Sequence, residues 1–192
     1  MEIILILLSF VFGFVISFID FNEDEKKKTP PSIFPIASSF IFLLLLFSKV
    51  FPLAFGVFLS LLFAKKLDAK SWKIFLFFTI LFLPLFLFKI SQFFSLQNLL
   101  LSIYFFIFSF MDEISSDFTD KELEKEKKRK KKEKEKSKKE KIRKFVLEFF
   151  ELRPFLELSA FLFSLAILDF DFFLCIFSFD LAYNLEKRLL LV

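Results

Sequence analysis

"SIFPIASSFIFLLLLFSKVFPLAFGVFLSLLFA", residues 32–64, contains one charged residue, Lys49, in thirty-three positions. As a single helix it would extend about 48 Å at about 1.5 Å per residue, against about 30 Å for the hydrocarbon core of a bilayer. Ser48, Lys49 and Pro52 interrupt its middle, and proline both lacks an N–H and restricts the residue before it. The stretch therefore predicts a tight helical hairpin, 32–48 and 50–64. Once the hairpin is set, the remaining apolar segments fall at 2–19, 73–89, 94–111, 154–169 and 171–185. The last two are short and divided by Asp169-Phe170-Asp171. The expected fold is all-α, a polytopic transmembrane bundle of six or seven helices.

Composition supports the membrane class. Of 192 residues 56% are hydrophobic, 37 are Phe and two are Gly, and mean hydropathy is +0.63. A soluble domain of this size could not bury so much apolar surface. The first segment lacks the basic start and small-residue cleavage site of a signal peptide, so it reads as a retained helix. Basic residues orient the bundle. With the N-terminus outside and the C-terminus inside, Lys26–Lys28, Lys65, Lys66, Lys70, the long basic run, Lys187 and Arg188 are all cytoplasmic; only Lys49 and Lys89 fall outside. Three regions follow: a five-helix membrane domain, 1–111; a charged cytoplasmic loop, 112–153; and a C-terminal membrane hairpin, 154–192. Within the loop, residues 121–144 carry fifteen basic and six acidic residues. This is a solvated, partly helical charged segment, or one attracted to anionic lipid headgroups by about 1 kcal/mol per basic residue near the surface. No aromatic residue interleaves the run, so nucleic acid is not an expected partner.

The missing residue types narrow the chemistry. With no His and a single cysteine, Cys175, neither Ser-His-Asp nor Cys-His catalysis is available, and a disulfide within the chain and a structural zinc site are excluded. Acid–base work falls to Asp, Glu, Lys or Tyr. The carboxylates gather near the cytoplasmic boundary: Asp20, Asp68, Asp112, Glu113, Asp117, Glu157 and Asp180. Several have plain structural explanations. Arg153 and Glu157 are spaced to pair on a helix, Asp180 and Asn184 share a face that suits helix packing, and Tyr104, Tyr183 and Trp72 suit structural or interfacial anchors.

Asp20, in "FVISFIDFNEDEKKKTPPSIFP", and Asp68, in "KKLDAKSWK", carry a resemblance. The chain resembles archaeal class III signal peptidases, the preflagellin and prepilin peptidases of the type IV prepilin peptidase family. In that family one catalytic Asp closes the first helix, a basic loop and two helices follow, and a second Asp arrives in a GxGD motif before the fourth helix. Here Lys26–Lys28 and Pro30 follow Asp20, and Asp68-Ala69-Lys70 precedes the fourth segment. The match covers roughly residues 5–90. The glycines of GxGD are replaced by Lys65 and Leu67, so the motif is degenerate.

The resemblance implies a cytoplasm-facing aspartic endopeptidase with Asp20 and Asp68 catalytic, no metal and no cofactor. It would cleave basic leaders from pilin-like or archaellin-like precursors, with Glu23, Asp24, Glu25 and Lys70 as substrate contacts. With one cysteine and no zinc element it would be a peptidase only. Three other classes fit parts of the chain: a Mg²⁺-dependent lipid-diphosphate enzyme using "DEISSD" (Asp112, Glu113, Asp117), an ion transporter using the same acids, and a non-catalytic membrane scaffold.

Overall fold

A computed structural model describes residues 2–24, 28–64, 70–89, 95–130 and 154–190, without the side chains of 2, 24, 87–89, 117, 120–130 and 187–190. Among the described residues there are seven α-helices, one 3-10 helix and no strand. The helices are α1 (Glu2–Asp24), α2 (Ile33–Leu46), α3 (Phe51–Phe63), α4 (Lys70–Phe82), α5 (Leu96–Lys130), α6 (Pro154–Ile167) and α7 (Asp171–Leu190); the 3-10 helix, Leu83–Lys89, continues α4. The all-helical expectation holds, and the hairpin turn of α2 and α3 falls at Phe47–Val50. Pro35, Pro52 and Pro154 stand in first turns, where a missing N–H costs nothing. Pro84 stands where α4 tightens into the 3-10 helix.

The helix α5 departs from the hydropathy boundary at 111. It runs through Lys130, because nothing between 96 and 130 is Gly or Pro and the charged stretch is rich in Glu, Lys and Arg, all good helix formers. Its apolar face is exposed at Leu96, Leu100, Ile103, Ile107, Met111, Ile114 and Phe118, a stripe about 33 Å long at about 1.5 Å per residue. Its opposite face buries Ser102, Ser109, Asp112, Glu113, Ser116 and Thr119. Apolar residues outside and polar residues inside reverse the soluble pattern. Among the described residues two helices, over Ile3–Glu23 and Leu96–Ser116, are long and apolar enough to cross a membrane.

The two most extensive pairings are α1 with α7 and α3 with α5, and both are parallel. Ser9, Gly13 and Ser17 of α1 meet Cys175, Phe179 and Tyr183 of α7 in order. Gly56 and Ser60 of α3 likewise meet Ser102 to Phe106 and then Ser109 of α5. The chain's only two glycines thus sit where helices approach most closely. A Cβ at Gly13 would lie 2.3 Å from the Phe179 carbonyl oxygen, and one at Gly56 2.7 Å from that of Ser102. Small residues four apart permit this contact, which is how helices associate when burying apolar surface offers little gain.

Lys49 pins one end of the bundle. From the α2–α3 turn it pairs with Asp171 and, at 3.7 Å, with Asp169 of the α6–α7 turn. That turn has Leu168 in the left-handed region (φ 55°), while Asp169 N–H bonds the Ser164 carbonyl at 3.1 Å and Asp169 Oδ1 accepts from Asp171 N–H at 3.0 Å. Lys49→Ala strands the buried Asp171 carboxylate. It is expected to cost about 2 kcal/mol, less than a fully buried pair because Lys49 keeps some water contact. Thermal unfolding in detergent checks this, and Lys49→Ala combined with Asp171→Asn should recover much of the loss.

Candidate functional site

Opposite the Lys49 end, hydrogen bonds to two carboxylates of α1 tie it to α4 and to α7. Glu23, in the last turn of α1, accepts hydrogen bonds at Oε1 from the backbone N–H (3.0 Å) and hydroxyl (2.9 Å) of Ser71. Ser71 is the second residue of α4, so the acid satisfies a free N–H and sits at the positive end of the helix dipole. The C-terminal end of α1 is thereby fixed to the N-terminal end of α4, on which Lys70 is exposed.

Asp20 stands one turn before Glu23. Its Oδ2 accepts the hydroxyl of Tyr183 on α7 at 3.0 Å. The backbone carbonyl of Tyr183 in turn accepts the hydroxyl of Ser17 at 3.0 Å. Tyr183 therefore ties two successive turns of α1 to one residue of α7. Glu186, one turn further along α7, is buried and hydrogen-bonds Ser17 and the backbone of Phe18.

Of the residues singled out in the sequence, Asp20, Glu23 and Lys70 are thus placed at this end. Asp68, Glu25 and the Asp24 side chain lie outside the described residues. Residues 131–144 of the basic run do too, while 121–130 are helical backbone. The sequence reading assigned Tyr183 only an anchoring part and passed over Glu186. The available signal was their i, i+3 spacing on a single face of an otherwise apolar helix.

The other acids do different work. Asp112, 1% exposed, accepts the backbone N–H of Phe155 (3.0 Å, Oδ1) and Leu156 (2.7 Å, Oδ2). Both belong to the first turn of α6, so Asp112 caps a helix distant in sequence. Among the described residues no group of three or more potential ligands is placed to hold a metal ion. Asp112→Ala would leave two N–H groups unmet, one of them buried, and is expected to destabilise the fold by about 2–4 kcal/mol. A lowered unfolding midpoint, unaltered by added Mg²⁺, checks it. Between α6 and α7, the Glu157 and Asp180 side chains face one another.

Comparisons with protein-family models, with curated proteins and with solved structures found no match. The likeness to prepilin peptidases therefore rests on the residues of this chain alone.

Proposed function

We propose that the protein is a multi-pass membrane aspartic endopeptidase, with its N-terminus outside, its C-terminus inside and its catalytic acids, Asp20 and Asp68, at the cytoplasmic face. Its substrates are pilin-like or archaellin-like precursors whose basic leaders precede an apolar helix. One observation carries the reading: the bonds from Ser71 to Glu23 hold the start of α4 against the end of α1. Asp20 is one turn from Glu23, about 4.5 Å of helical rise. Asp68 is three residues from Ser71 in the chain, a reach of at most about 11 Å. Buried polar faces on helices with apolar exteriors support the membrane setting. The basic residues of 121–144 would meet anionic headgroups of the inner leaflet.

Two carboxyls held close share a proton, since both cannot ionise together. The ionised acid activates water. The protonated one polarises the scissile carbonyl and then helps protonate the leaving amine. The pair titrates as a unit and needs neither His nor cofactor. Asp24 and Glu25, with the part of Glu23 not committed to Ser71, would attract the basic leader, and Lys70 stands exposed at the start of α4.

The test is cleavage of a purified precursor carrying a basic leader by the full-length protein in detergent, with a metal chelator present. The reading expects cleavage by the wild type and none by Asp20→Asn or Asp68→Asn, made separately. Full activity in either variant refutes it, and loss of wild-type activity to chelator points to a metal-dependent lipid-diphosphate enzyme instead.

A further inference from the structure

Glu186 stands one residue past the apolar segment 171–185 and is 2% exposed. It hydrogen-bonds Ser17 and the backbone of Phe18, one turn before Asp20 on α1. Its Oε2 is buried with no hydrogen-bond partner among the described residues. An ionised carboxylate there would keep a full charge away from water with one oxygen unsatisfied, which is among the costliest arrangements in a protein. A proton on the group removes the charge. Burial pushes the carboxyl up to about 7 from its ordinary 4.5, against the opposing pull of the bonds to Ser17 and Phe18. Among the described side chains, the titratable groups within about a turn along the two helices it joins are Asp20, on α1, and Tyr183, on α7. Tyr183 already donates to Asp20, so neither supplies Glu186 with a counter-charge.

We propose that Glu186 is a proton-binding member of the Asp20 site: it holds a proton below neutral pH, and losing it sets a second negative charge beside the part of α1 that carries Asp20. The functional half of this inference rests on the peptidase reading of Asp20; the proton itself does not. The sign is fixed by the charge. Below neutral pH Glu186 is uncharged and the site holds only the charge of its catalytic pair. Above it, the further anion disfavours a second charge on the catalytic pair, so the pair keeps its shared proton to higher pH and the alkaline limb of cleavage moves up. Glu186→Gln mimics the protonated form and lacks that shift.

Infrared difference spectroscopy of the full-length protein in lipid vesicles, between about pH 5.5 and about pH 8.5, reads the proton directly. The wild type is expected to show a carboxylic acid C=O band that disappears as pH rises, and Glu186→Gln is expected to lack that component. Identical difference spectra overturn the proposal. Precursor cleavage supplies the other arm. Glu186→Gln activity should fall at lower pH than wild-type activity, leaving it about threefold or more below the wild type at about pH 8.5. Equal falls overturn the link to the site. Undiminished cleavage by Asp20→Asn would instead sink the peptidase reading, leaving the infrared result to decide Glu186 by itself.

Discussion

Asp20→Asn is expected to reduce precursor cleavage about 10²–10⁴-fold while leaving the fold intact. Asparagine keeps the size of the side chain and a carbonyl oxygen that can accept the Tyr183 hydroxyl, now 3.0 Å from Asp20 Oδ2. The contact between α1 and α7 is therefore retained. What is lost is the capacity to hold a charge and exchange a proton, on which activation of water by a carboxylate depends. Because two acids sharing a proton act as a unit, Asp68→Asn should cost as much, and the double variant no more than either single one. A rate series with all three variants at matched folded fraction measures this. Additive losses would mean that the two acids act separately, and a single variant within a few fold of wild type would remove its residue from the chemistry.

Gly13→Leu is expected to be the most damaging packing substitution, at about 3 kcal/mol or more. The added Cβ alone would stand 2.3 Å from the Phe179 carbonyl oxygen. That obstacle is backbone and cannot rotate aside, so α1 and α7 must separate along a seam that includes Ser9, Ser17 and Tyr183. Separation would also release Asp20 from Tyr183, so cleavage should fall with stability. Gly56→Leu is the informative companion. Its Cβ meets the Ser102 carbonyl oxygen at 2.7 Å, a comparable clash between α3 and α5 that leaves the Asp20–Tyr183 contact in place. Thermal unfolding and size-exclusion profiles in detergent compare the two. A Gly13→Leu protein that melts with the wild type would show that the seam is not the close contact described.

Several elements could be read directly from the chain. The α2–α3 hairpin follows from an apolar run too long for one crossing with Lys49 and Pro52 at its middle, and α6 and α7 part at Asp169–Asp171, where their turn forms. The helix α5 continues past the apolar boundary for a physical reason. Hydropathy reports where a segment leaves an apolar medium, whereas helices end where backbone bonding fails, and nothing before Lys130 interrupts it. The change from apolar to polar at Asp112 marks one face of that helix, not its end, since Met111, Ile114 and Phe118 remain exposed while Asp112 and Glu113 turn inward.

By itself the sequence determined that the chain is helical and approximately where each helix begins, because run length, proline position and charge act locally. Only the tertiary structure decided which helices are partners. Phe, Leu and Ile cover buried and exposed faces alike, so hydrophobicity cannot distinguish them, and the choice falls to two glycines, a few serines and the carboxylates at the helix ends. For the same reason Tyr183 and Glu186 joined Asp20 only through the α1–α7 seam: residues more than 160 positions apart become neighbours through the shape of a helix pair, which local composition does not encode.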